Sequence, residues 1–164
     1  MDPRVHRRLV HLRSNMAKIK HIAIATQDPD KTARFYKEVF GLQEVGRVDN
    51  ENAEGHYLSD GNVNLAILRF KNDVVAGEEF GAAYSGFHHI GFEVEDTAAT
   101  DAKLRKASSA PRSDINAALN SRTGGGHGGK NVELKYSGPD GVIIDISHTG
   151  WVGTDGGDSD SVAE

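Results

Sequence analysis

Two similar stretches of the chain are headed by histidines, "KHIAIAT" at 20–26 and "HHIGFEV" at 88–94, and an aspartate interrupts the apolar run "VIIDIS" at 142–147. The 164 residues include no cysteine, which rules out a disulfide framework, a thiolate metal site and a cysteine nucleophile. Any transition-metal site must therefore be built from imidazole and carboxylate. Two histidines and one carboxylate, with other positions open, form a ligand set that holds Fe(II), Mn(II) or a similar ion for oxygen or enolate chemistry. The plainer reading makes each of them a strand residue hydrogen-bonded to its neighbours.

Strand periodicity separates these readings, because alternate residues of a strand share a face. In the first stretch Ile22 and Ile24 form the apolar set, leaving His21, Ala23 and Ala25 together. In the second, His88, Ile90, Phe92 and Val94 share one face, and His89, Gly91 and Glu93 share the other. In the third, Val142, Ile144 and Ile146 pack outward, which leaves Ile143, Asp145 and Ser147 on the opposite side. His21, His89 and Asp145 are thereby placed on surfaces expected to face one another, whereas His88 is a structural neighbour.

The elements that must position these residues follow from period and punctuation. After the strand at 19–25, "TQDPDKTARFYKEVFGL" predicts a helix with Asp28 as N-cap, Pro29 at its first position, Ala33, Tyr36, Val39 and Phe40 at helical spacing, and Gly41 as terminator. Strands are predicted at 42–48, 55–59 and 63–70, the last two joined through Asp60-Gly61. A second series runs from a strand at 87–94 through a helix at 96–107 and a short strand at 114–119 to "NVELKYS" and "VIIDIS", which are joined by the turn "GPDG". "HIAIA" overlays "HIGFE" at an interval of 68 residues, 89 minus 21, so the chain reads as a duplicated βαβββ unit. Two such modules, at about 18–70 and 86–149, predict an α+β domain over 18–149 whose curved sheets form a cleft with helices outside.

Composition narrows the partners. With 24 acidic against 19 basic residues and a net charge of −5, the chain has no broad basic surface for a phosphate backbone, so nucleic acid is not an expected partner. No apolar run approaches the roughly 20 residues that span a bilayer, and the Arg-rich start lacks a secretory h-region, so no membrane partner and a cytoplasmic location are expected. Residues 1–17 read as a disordered extension, and the acidic, glycine-rich residues 150–164 as a disordered tail. Trp151, the only tryptophan, is expected to cover the end of the core.

With these motifs in view, the chain resembles the vicinal oxygen chelate superfamily, which includes glyoxalase I, methylmalonyl-CoA epimerase, extradiol dioxygenases and bleomycin resistance proteins. The resemblance covers about 18–149 and rests on "HIAIATQDPDKTARFYKEVFGL", "GFHHIGFEV" and "GPDGVIIDI". It implies two βαβββ modules forming a curved mixed-sheet cleft, with ligands from the first and last strand of each module, here His21, Ala66, His89 and Asp145. Ala66 stands where glyoxalases and epimerases commonly offer Glu or Gln, and Asp145 replaces the more frequent Glu. The resulting three-ligand set looks more like that of extradiol dioxygenases, which implies a mononuclear Fe(II) or Mn(II), with Zn(II), Ni(II) or Co(II) also admissible. The expected function is metal-dependent action on a small vicinal-dioxygen substrate, with the dioxygenase, an oxidoreductase, favoured. A glyoxalase- or epimerase-like lyase or isomerase and a non-catalytic binding or resistance protein are the alternatives. His56, Tyr57 and His127 are the candidate catalytic acids or bases near the metal, with no separate cofactor-binding residues, and the resemblance implies a homodimer.

Overall fold

The computed structural model describes residues 16–119 and 133–154. Its first half runs β1 (Lys18–Ala25), α1 (Pro29–Phe40), β2 (Gln43–Asp49), β3 (Ala53–Ser59) and β4 (Asn64–Phe70). Helix α1 starts where the sequence predicts. The Asp28 side chain accepts from the Lys31 N–H at 3.1 Å, Pro29 follows it, and Gly41, at φ 71°, closes the helix from the left-handed region. Ala33 packs with Leu58 and Ile67 against the sheet. Val39 and Phe40, expected in the same stripe, are exposed, whereas Tyr36 packs with Ala33 against Leu58 and Ile67. Ser59 pairs with Asn64, so the connecting loop spans Asp60–Val63 and has the same even parity as a two-residue turn. Asp60 organises it by accepting from the Asn62 and Val63 N–H groups, each at 2.8 Å.

The second half runs α2 (Asp73–Ala76), β5 (Gly86–Glu93), α3 (Thr97–Lys106), α4 (Ser113–Ala118), β6 (Leu134–Ser137), a 3₁₀ turn at Pro139–Gly141 and β7 (Ile143–Ser147). It differs from the expected βαβββ in one element: the short strand predicted at 114–119 is helix α4. Alanine at 117 and 118 favours helix, and Ile115 anchors the turn with 0% exposure, so one apolar side chain does what a strand would need several to do. The missing strand survives as a single bridge between Pro111 and Tyr136. Around it Arg112 N–H donates to Lys135 O and Ser137 N–H to Ala110 O, both at 2.8 Å. Asn116 of α4 then stands in for backbone: its Oδ1 accepts from Lys135 N–H at 2.9 Å and its Nδ2 donates to Lys135 O at 3.0 Å.

The strands form one mixed seven-stranded sheet in the order β2-β3-β4-β1-β5-β7-β6. β1 and β5 pair antiparallel at the centre, and each has the last strand of its own half as a parallel neighbour, β4 and β7 respectively. The β1–β5 register slips twice, once at Lys20 and once at His88. Each slip is a bulge immediately before a site histidine, and the pair repeats the internal duplication. On one face Ala23, Ala25, Tyr57, Ala66, Leu68 and Phe70 pack with Val75 and Ala76 of α2. The other face is covered by α1 and, over Phe92, Ile144 and Ile146, by Leu104 of α3. The domain also extends past 149: Trp151 and Thr154 are buried, and Val152 O and Gly153 O accept from the Asn64 and Ser59 side chains at 2.9 and 2.6 Å. The tail expected from residue 150 therefore has its first residues packed into the fold, where Trp151 supplies the apolar area that orders them. Among the described residues no helix is long and apolar enough to cross a membrane.

Candidate metal centre

His21 of β1, His89 of β5 and Asp145 of β7 meet on the face that carries Ala23 and Ala66, with one ligand atom of each lying within 4.8 Å of the others. All three are buried, at 1%, 3% and 0% exposure. The registers show why. His21 lies opposite Gly91, and Gly91 opposite Asp145, so the three side chains rise from neighbouring rungs of adjacent strands. Gly91 itself gives them room: a Cβ there would stand 2.8 Å from His21 Cβ and 2.8 Å from Trp151 Cζ2. By the same registers Ala23 pairs with Ala66 as Gly91 pairs with Asp145, so Ala66 is the duplicate of Asp145 and offers no ligand.

The hydrogen-bond partners of the two rings determine their tautomers. Asn64 Nδ2 donates to Val152 O, which turns its Oδ1 toward His21, so His21 Nδ1–H is the donor in their 2.8 Å contact. Behind His89, His88 Nε2–H donates to Ala76 O at 2.5 Å. Burial holds His88 down to about 4, so its ring is neutral at pH 7 and its Nδ1 carries a lone pair. That lone pair accepts from His89 Nδ1–H at 2.7 Å. Each histidine thus donates from Nδ1 and presents an unprotonated Nε2, and the two Nε2 atoms face each other at 2.9 Å. Burial, followed by the Lys135 charge, holds His89 well below the usual histidine range and disfavours resolving this contact with a proton. Two lone pairs converging on one point fit a cation between them, with both outer nitrogens tethered as metal-binding histidines require.

Asp145 completes the set and carries a second cation. Its Oδ2 lies 3.3 Å from His89 Nε2 and accepts from Lys135 Nζ at 2.6 Å. Among the described residues no donor reaches its buried Oδ1. Burial raises the Asp145 carboxyl, Lys135 pulls it down, and Glu133 raises it again, with the net direction upward. Burial lowers Lys135, but Asp145 and Glu133 outweigh it and keep the ammonium charged. Glu133 Oε2 lies 3.6 Å from Lys135 Nζ, and its Oε1 accepts from Trp151 Nε1–H at 2.5 Å. Trp151 lies flat on His21, with centroids 4.9 Å apart and planes 2° apart, so it walls the site as well as ending the core.

The candidate acids and bases fare differently. His56 is on the helix-side face of β3, where Nε2 meets Asp30 Oδ1 at 2.7 Å and Nδ1 meets Glu44, because its cross-strand partner Ile67 belongs to the α1-side core. It is part of the clamp between α1 and β2, not of this cluster. Tyr57 is on the site face opposite Ala66, and burial, then the Glu133 carboxylate, pushes its phenol far up, so it stays protonated. His127 falls outside the described residues. Lys135, Glu133 and Asn64 were missed by the sequence reading, although the parity of "VELKYS" carried a signal: Glu133 and Lys135 share a face, and counting back through "GPDG" sets Lys135 opposite Asp145.

A family model described as "Glyoxalase/Bleomycin resistance protein/Dioxygenase superfamily" matches residues 18–146. The chain belongs to that superfamily. Curated relatives within reach of this superfamily member include mitochondrial methylmalonyl-CoA epimerase of Homo sapiens, 29% identical over 96 residues, covering 56% of this chain and 54% of the relative. The Mus musculus protein is 25% identical over 95 residues, covering 56% and 53%. The chain thus spans about half the length of the curated relatives it matches. Among solved structures, a hypothetical protein from Bacillus halodurans matches at a TM-score of 0.60 with 18% identity, covering 80% of this chain and 93% of that one. A Streptomyces coelicolor methylmalonyl-CoA epimerase variant in complex with 2-nitronate-propionyl-CoA matches at 0.60 with 22% identity, covering 80% and 96%. At these identities the structures establish a shared fold.

Proposed function

We propose that this superfamily member is a divalent-metal-dependent enzyme that labilises a proton next to a carbonyl of a small substrate, with His21, His89 and Asp145 holding the metal. The observation that carries the reading is the pair of Nε2 lone pairs facing each other at 2.9 Å, each directed by a hydrogen bond behind its ring. When bound, the cation supplies a Lewis acid that polarises a substrate oxygen. Asn64 and His88 hold the two imidazoles in register, and Trp151 and Tyr57 keep bulk water from the cluster. Glu133, just before β6 and 3.6 Å from the Lys135 ammonium, is the carboxylate that would exchange a proton with the substrate. The epimerase relatives favour a carbon-acid substrate of the CoA-thioester kind.

Two measurements test this. Protein prepared without chelator or histidine tag is expected to hold near-stoichiometric divalent metal, lost in His21→Ala and Asp145→Asn. Metal-loaded protein is then expected to exchange the α-proton of methylmalonyl-CoA for deuterium in D₂O under anaerobic conditions, with Glu133→Gln slowed by roughly 10²-fold or more. Ala66 favours a second reading, the dioxygenase, because it leaves the set at three protein ligands. Oxygen uptake with catechols and Fe(II), combined with no deuterium exchange, would select it.

A further inference from the structure

We propose that Lys135 is a built-in second cation of this site, holding the same Asp145 oxygen, Oδ2, that lies 3.3 Å from His89 Nε2, so that the ammonium and a divalent metal compete for one carboxylate. The inference rests on the metal-centre reading and concerns what the chain's own residues do to metal affinity. Lys135 and Asp145 are 4% and 0% exposed, and the ammonium takes Oδ2 at 2.6 Å while no described donor reaches Oδ1. Asn116 and Arg112 fix the Lys135 backbone, and its buried ammonium is held between Asp145 at 2.6 Å and Glu133 at 3.6 Å.

The charge balance gives the sign. Among the described residues the cluster sets one ammonium between the Glu133 and Asp145 carboxyl groups, beside two neutral imidazoles. Without a metal, Lys135 spares Asp145 from being an unpaired buried carboxylate, so the fold stands before metal arrives. With a metal, the same ammonium would repel the ion and compete for the Asp145 oxygen nearest His89, so affinity is held down. Lys135 therefore exchanges tightness of binding for stability of the metal-free state.

The test compares the wild-type protein with Lys135→Met and Glu133→Gln by Mn(II) and Co(II) titration calorimetry and by melting in chelator and in metal. Lys135→Met is expected to bind at least about tenfold tighter, to melt several degrees lower in chelator, and to gain more Tm from metal than wild type. Glu133→Gln keeps the ammonium but removes its offsetting carboxylate, so its affinity is expected to fall, and it provides the reverse sign if Lys135→Met does not fold. Unchanged or weaker binding by Lys135→Met, or unchanged binding by Glu133→Gln, would overturn the proposal while leaving the metal site standing. Metal uptake by Lys135→Met alone would support the competition and overturn the metal-enzyme reading of the wild type. No uptake by any of the three would overturn both.

Discussion

His88 shows how much one hydrogen bond decides. It binds no ligand in this scheme, yet its neutral ring is what obliges His89 to donate from Nδ1 and turn a lone pair toward His21. The same neutrality has a stability consequence whose sign can be worked out. Burial holds His88 at about 4, against 6.5 for an unfolded histidine, so as pH falls the unfolded chain takes up the proton first. Stability present above about pH 6.5 is then lost toward pH 4, up to about 3 kcal/mol from this ring. Urea unfolding in chelator at pH 7 and pH 5 is expected to show a steeper acid loss in wild type than in His88→Phe, a comparison in which the opposing contribution of Asp145 cancels. Equal slopes would mean that folding leaves the proton affinity of His88 unchanged, so that burial is not what keeps its ring neutral. Sequence parity put His88 on the opposite face, and no single-residue property announces that it turns.

What turns it is an element, the bulge in β5. Ala23 pairs with His89 and Ile24 with Phe87, so His88 is the extra residue, and a bulge re-aims the side chain it carries. Lys20 is its counterpart before His21. A bulge is set by pairing with another strand and leaves no period of its own, which is why "HHIGFEV" alone misplaced one histidine while placing the other. Gly91, in the same stretch, is a further dependence at this scale. A methyl group at this position would sit 2.8 Å from both His21 Cβ and the Trp151 ring, in the space through which the indole reaches the imidazole. Gly91→Ala is expected to cost about 1–3 kcal/mol and to shift the fluorescence of the only tryptophan to the red as the ring is displaced. Unchanged emission and stability would show that the contact is not tight. Helix α4 in place of a strand could not be read at 114–119 because Asn116 supplies the strand-like bonds from a side chain.

At the scale of the molecule, His21 comes from one half of the chain and His89 and Asp145 from the other, so a bound ion ties the halves together across the central β1–β5 pair. Metal at about 100 times its Kd is expected to raise stability by about 3 kcal/mol and Tm by roughly 5–10 °C in one cooperative transition, measured by calorimetry with and without chelator. A rise confined to one of two separate transitions would contradict the single-sheet architecture. The sequence by itself determined the duplication, the α+β architecture, the caps of α1, and the face shared by His21, His89 and Asp145, because strand and helix periods are local and visible in one dimension. Only the tertiary structure decided that His88 backs His89, that Lys135 and Glu133 enter the cluster, that His56 leaves it, and that Trp151 covers it. Those outcomes depend on register, bulges and loop parity, which are properties of pairs of strands and not of any one of them.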